Sequence, residues 1–247
     1  MDIIKKPSPN FSSGRKTYKP EAIVIHIMEG SLTGTDSWFG NAQARVSAHY
    51  GVGRNGEVHQ YVDEKNTAWH AGVITTPSWS LIKKAGNGFY INPNYYTIGI
   101  EHEGTVDTDW TDAMYESTST LIAEISKKWN IPIDRNHVIG HHEIYAVKAC
   151  PGHKVDFNKL IALALEKCTP TALPFITKKV ATPVNATAKV WLNIRNTPDT
   201  KQKPLKVVQP GTRLTYTAFT EQGENIQGNS TWFQTGEGYW VWSGGVK

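Results

Sequence analysis

A stretch rich in Pro, Thr and Ala at 169–186 divides this chain into two parts with different hydrophobic patterns. Thr169-Pro170-Thr171-Ala172-Leu173-Pro174 and Ala181-Thr182-Pro183-Val184-Asn185-Ala186 follow neither a helical nor a strand period, and their prolines disfavour regular pairing. The stretch reads as a linker between domains over 1–168 and 187–247. A length of 247 residues is comfortable for two domains. With 39% hydrophobic and 19% charged residues both parts can fill a core, which excludes a disordered chain. Apolar runs such as Ala22-Ile23-Val24-Ile25 and Leu160–Leu165 are far too short for a bilayer. No segment repeats internally. Met1-Asp2-Ile3-Ile4-Lys5-Lys6-Pro7 has no apolar stretch of the signal-peptide kind. The expectation is a protein that works in the cytoplasm, leaves it by another route, or is already mature.

The two parts also differ in chemistry. All nine histidines precede residue 154, whereas four of the nine tryptophans follow residue 190. Residues 1–168 carry 17 Lys+Arg against 18 Asp+Glu, and residues 180–247 carry 7 against 4. A mildly basic tail suits an anionic polymer, but it lacks the dense Lys/Arg stripe of a nucleic-acid binder. Chemistry is therefore expected in the first part and binding in the second.

Before the linker, strand and helix patterns alternate. Ala22–Met28 is a β-branched apolar run, the pattern of a buried strand. Ser47–Val52 and Glu57–Val62 flank Gly53-Arg54-Asn55-Gly56, a hairpin signal, and Thr97–Glu101 is another short strand. Met114, Thr118, Leu121, Ile122, Ile125 and Trp129 recur at helical spacing, with Asp109 or Thr111 as the cap. Asp156 can cap a last helix whose apolar face takes in Phe157, Leu160, Ile161, Ala164 and Leu165. This predicts an α/β domain, a mixed central β-sheet flanked by helices. After the linker, Val190–Arg195, Lys206–Val208, Leu214–Ala218, Trp232–Gln234 and Tyr239–Trp242 predict short strands and a small all-β barrel.

His26 in an apolar strand, His141 after Gly140, and Cys150 nine residues later form a possible metal set. Two imidazoles and a thiolate leave one tetrahedral position open, as in catalytic zinc sites, and the soft sulfur favours zinc over magnesium or calcium. Taken singly, each histidine equally fits a hydrogen-bonded core residue. Cys150 and Cys168 are the only cysteines, so a disulfide between them is arithmetically open. Lys148 beside Cys150 favours a thiolate ligand, with Cys168 left as a packing residue.

Ile25-His26, Ser47-Ala48-His49-Tyr50, Asn55-Gly56, Trp69-His70-Ala71-Gly72, Ile98-Gly99-Ile100-Glu101, Gly140-His141 and Lys148-Ala149-Cys150-Pro151-Gly152 occur in that order. Together they resemble the zinc-dependent N-acetylmuramoyl-L-alanine amidases, the family of phage lysozyme-type amidases and peptidoglycan recognition proteins, over about residues 20–165. The resemblance implies His26, His141 and Cys150 as zinc ligands, Glu101 as the general base and Lys148 as the oxyanion partner. Tyr50 matches a tyrosine important for catalysis in some members. It also implies cleavage of the amide joining N-acetylmuramic acid to L-alanine of the stem peptide. His142 competes with His141 for the metal, and His70 belongs to a motif that lines the family's groove. His49 and His59 are expected at the surface or in packing, and His102, His137 and His153 as structural or solvated.

Leu192-Asn193-Ile194-Arg195, Val208-Gln209-Pro210-Gly211-Thr212, Trp232-Phe233 and Trp240-Val241 resemble a bacterial SH3-like cell-wall-binding domain. Two of the four tail tryptophans are expected to fill its core. The implied protein is a modular peptidoglycan hydrolase, a phage endolysin or a bacterial autolysin, with peptidoglycan as partner and a monomer as the expected state. Its competitors are a recognition module that has lost catalysis and a cytoplasmic muropeptide-recycling amidase. Keeping all three ligands with Glu101 and Lys148 argues against the first, and the tail argues against the second.

Overall fold

The β-branched run that begins at Ala22 becomes an interior strand of a six-stranded mixed sheet. The computed structural model describes residues 1–168, 177–201 and 203–247, and the chain falls into two units, Met1–Thr169 and Pro170–Lys247. In the first unit β1 (Ile4–Lys5) and β2 (Phe11–Ser12) precede β3 (Ala22–Ile25) and helix α1 (Leu32–Gly40). Next come β4 (Tyr50–Val52), β5 (Val58–Gln60), β6 (Thr67–Ala68) and β7 (Thr97–His102). Helix α2 (Asp112–Trp129), β8 (Val138–Gly140) and helix α3 (Phe157–Cys168) complete it. The sheet order is β1-β5-β4-β7-β3-β8, and only β4 and β5 pair antiparallel, as the Asn-Gly turn predicts.

Strand alternation sorts the side chains between two faces. Ile23, Ile25, Ile98, Ile100 and Tyr50 join Met114, Leu121, Ile122, Ile125 and Leu160 in the core beneath α2 and α3. Ala22, Val24 and Ile139 face the other way, into a second cluster with Trp79, Tyr96 and Ile144. Thr111 is the cap of α2, accepting from the Met114 N–H, and Asp156 accepts from the Lys159 N–H at the start of α3. Leu160 and Ala164 of α3 are buried, but Leu165 is 48% exposed. One residue past Ala164 the helix has turned about 100°, which carries that side chain off the apolar face.

The second unit is all β among its described residues. It contains β9 (Lys178–Thr187), β10 (Leu192–Ile194), β11 (Lys206–Val208), β12 (Arg213–Thr220), β13 (Trp232–Thr235) and β14 (Trp240–Trp242). Antiparallel strands in the order β14-β13-β12-β9 form one sheet, and β10 pairs with β11. Ala186, Ala188, Leu192, Val208, Val241 and Val246 make its core.

The linker expected over 169–186 is corrected in its second half, because β9 runs through it. Pro183 is tolerated there for two reasons. β9 is an edge strand, and its pairing with β12 skips between Lys179 and Val184, so the missing N–H costs no ladder bond. Residues 169–176 of that linker lie outside the described ones. Trp232 and Trp240 are buried, whereas Trp191 is 68% exposed, so two of the four tail tryptophans fill the core as expected.

Candidate metal and catalytic site

Three parallel strands deliver the site residues at their carboxyl ends, where open α/β sheets collect ligands. Glu101 is the fifth residue of β7, His26 follows β3, and His141 follows β8. Cys150 comes from the loop after β8. That loop passes against the backbone at Val106, where a Cβ on Gly152 would lie 2.2 Å from the Val106 carbonyl oxygen. Gly152 also has φ +97°, so a side chain there is excluded twice.

The candidate ligand atoms of His26, His141 and Cys150 all lie within 4.8 Å of one another. Cys150 Sγ is 3.8 Å from His26 Nδ1 and accepts from the Ile27 N–H at 3.3 Å. Glu101 Oε1 is 4.0 Å from His26 Nδ1. The other carboxylate oxygen, Oε2, is buried without a hydrogen-bond partner. An orphaned buried carboxylate oxygen beside two imidazoles and a thiol fits a cation-binding cluster, and this donor set suits zinc.

Burial sets the protonation of this cluster. It holds His26 well below the ordinary imidazole value, helped by His141, His70, His102 and Lys148. Burial, then Lys148 and His142, lower His141 to about 4, and burial lowers His70 to about 3. The rings are therefore neutral near pH 7, the form that ligates metal. Burial raises Glu101 to about 8 against the opposing pull of Lys148, and burial with Glu101 pushes the Cys150 thiol up.

Around this cluster opens a cleft of about 670 Å³, lined among others by Trp38, Arg45, Trp69, Tyr145 and Lys148. Five of the six residues singled out from sequence thus meet in one place. Tyr50 does not. It pairs with Ile100, whereas its neighbour Gly51 pairs with Glu101, so the tyrosine points to the helix-covered face. Its hydroxyl donates to Glu64 Oε1 at 2.6 Å.

The remaining histidines also sort themselves. The backbone N–H of His142 donates to the Cys150 carbonyl at 2.8 Å, and its Nδ1 donates to the same oxygen at 3.0 Å. His142 thus braces the loop that carries Cys150 and lies outside the candidate metal cluster. Of the two places expected for His49 and His59, surface or packing, the structure takes packing: both are buried. His49 accepts from the Gly99 N–H and lies 2.7 Å from the buried Arg15 guanidinium, and His59 sits between Asp36 and Glu57. His102 is structural: it donates to the His26 carbonyl and bonds Thr118. The two cysteines are free, and Cys168 ends α3 exposed, not packed. Arg15 and Arg45 escaped the sequence reading. For Arg45 the available signal was its place two residues before the Ser-Ala-His-Tyr motif.

Residues 16–153 match the family described as N-acetylmuramoyl-L-alanine amidase. The chain is 34% identical over 127 residues to N-acetylmuramoyl-L-alanine amidase A of Achromobacter lyticus, a match covering 50% of this chain. It spans 61% of that protein's own length, less than two thirds. It is 32% identical over 193 residues to 1,6-anhydro-N-acetylmuramyl-L-alanine amidase AmpD of Salmonella typhimurium, covering 68% of this chain and 94% of that protein. A crystal structure of a selenomethionine AmpD derivative superposes with a TM-score of 0.54 at 28% identity, covering 65% of this chain and 93% of that one.

Proposed function

The chain belongs to the N-acetylmuramoyl-L-alanine amidase family, and from that premise we propose that its first unit hydrolyses the amide between N-acetylmuramic acid and L-alanine of the stem peptide. The observation that carries this reading is the meeting of His26, His141 and Cys150 with the orphaned carboxylate of Glu101 at the floor of one open cleft.

His26, His141 and Cys150 would hold the zinc. When bound, zinc supplies Lewis acidity to a reaction whose amide is a poor electrophile and whose water is a poor nucleophile. Glu101 takes a proton from the attacking water on its carboxylate and returns it to the departing L-alanine nitrogen. Raised to about 8 without metal, the group holds its proton at neutral pH; a dication beside it favours the carboxylate that a base must present. Lys148, on the cleft wall, places an ammonium where the carbonyl oxygen gains charge. Arg45 in the same cleft offers a fork of donors to a carboxylate of the peptide. Tyr50 has no part in these steps.

The second unit serves as an SH3-like wall-binding unit that raises the local concentration of substrate around the cleft. Its all-β architecture, its excess of basic residues and the 68% exposure of Trp191 support that reading. A hydrolase built this way suits a phage endolysin or an autolysin. Among the described residues no helix is long and apolar enough to cross a membrane.

Mass spectrometry of purified peptidoglycan digested by the zinc-loaded protein tests the reading. Peptides that begin with a free L-alanine amino group are expected. Intact walls of every chemotype, with protein still bound, would instead make this a recognition module.

A further inference from the structure

We propose that His70 is a positioning residue, the middle of a hydrogen-bond chain that runs from the Pro93 carbonyl through Thr97 to His26 and fixes which nitrogen His26 offers to a metal. The proposal rests on the reading of His26 as a ligand. Its direction comes from one atom. The Pro93 carbonyl oxygen can only accept, so Thr97 Oγ1, 2.8 Å away, donates to it. The Thr97 hydroxyl is then free to accept from His70 Nε2–H at 3.3 Å. A neutral imidazole has one proton, so His70 Nδ1 is bare. It accepts from His26 Nε2–H at 3.0 Å. That leaves His26 Nδ1 bare, and Nδ1 is the atom aimed at Cys150 Sγ and Glu101.

Two features of the backbone hold the ring of His70 in line. The Asn94 side-chain oxygen accepts from the N–H groups of both His70 and Ala71, at 3.1 and 2.7 Å. Gly99 supplies the floor: a Cβ there would lie 2.6 Å from the His70 ring. The glycine of Ile98-Gly99-Ile100-Glu101 thus makes room for the histidine of Trp69-His70-Ala71-Gly72. A partner on the far nitrogen of a ligating histidine sets its tautomer and orientation, and its loss typically weakens metal affinity about 10–100-fold.

The test starts with the metal-free protein, labelled with ¹⁵N, whose two-bond ¹H–¹⁵N correlations report the tautomer of His26. A single Nε2–H form is expected; a proton on Nδ1 overturns the proposal. Zinc affinity is then read by competition with a chromophoric chelator. His70→Phe should weaken binding about 10–100-fold and give His26 mixed tautomers. His70→Asn places an amide oxygen near the position of Nδ1 and should recover most of the loss. Thr97→Val, which leaves the ring in place, should loosen the tautomer with a smaller loss of affinity. Wild-type affinity and a single Nε2–H form in folded His70→Phe, or an Asn variant no better than Phe, overturn the assignment. Cys150→Ala separates the two readings. Zinc bound as tightly as in wild type by that variant defeats the metal site itself, whereas a loss there with none in His70→Phe defeats only the role of His70.

Discussion

The two units differ in what they bury beside their apolar cores. Inside the first, Arg15, His26, His49, Glu64, Thr97 and His102 are all buried polar groups with named partners. Inside the second, Arg195, Thr197 and Thr220 are the buried polar residues among those described, and the core is Ala, Val, Leu and Trp. A polar interior is costly to assemble, because each donor or acceptor left unmatched destabilises by about 1–3 kcal/mol. The first unit accepts that cost around its sheet, where the buried polar groups bond one another and the neighbouring backbone. The second keeps an ordinary apolar core and turns Trp191, Leu205 and Val207 outward. One unit is organised around its inside, the other around its outside.

Four experiments strain that contrast. The largest effect is expected at Glu101. Glu101→Gln preserves the shape but cannot accept a proton, so release of L-alanine-terminated peptides should slow by about 10²–10⁴. Pelleting with purified walls should stay as in wild type; a parallel loss of both would mean that the units do not divide the work.

Next comes Trp232, fully buried, with its indole N–H donating to the Glu224 carbonyl. Trp232→Ala should cost about 3–5 kcal/mol, which is enough to unfold a small unit. Calorimetry should show the transition of the first unit unmoved.

A smaller effect separates the units by pH. Burial, then Arg15 and His70, hold the His49 imidazole well below its ordinary value of 6.5 in the folded chain. Below pH 6.5 the unfolded chain takes up a proton that the folded one refuses. Stability of the first unit should therefore fall with acidity by about 1.4 kcal/mol per pH unit from this group. The second unit has no histidine and should lack that slope in denaturant titrations between pH 6.5 and 5. An equal slope in both would locate acid sensitivity elsewhere.

Smallest in stability is Trp191→Ala, expected within about 0.5 kcal/mol of wild type because the side chain is exposed. Retention on walls should nevertheless drop, and unchanged retention would remove Trp191 from the proposed binding surface.

Much of this was legible in the order of residues. The β-branched run at Ala22, the Asn-Gly turn and the spaced apolar positions of α2 all specify local structure, and local structure follows local pattern. His26, His141, Cys150 and Glu101 came from motif order, since His26 lies 75, 115 and 124 positions from Glu101, His141 and Cys150, and such separations declare no proximity by themselves. What stayed hidden needed register. Tyr50 and Gly51 differ by one position, and only the pairing with β7 reveals which of them shares a face with Glu101. The strand through Pro183 was hidden because an edge with a skipped pairing tolerates a proline that a central strand would refuse. Sequence left His49 and His59 between surface and packing because Arg15, Asp36 and Glu57, the groups that make their burial tolerable, are remote in sequence or face them only once the sheet is formed.

The chain of donors behind His26 ends on the carbonyl of Pro93, a main-chain atom. Every amino acid carries that oxygen, so no codon change at 93 can delete it. Inheritance can damage the middle of the chain, at His70 or Thr97, but its polarity is anchored in the one part of a protein that the genetic code does not vary.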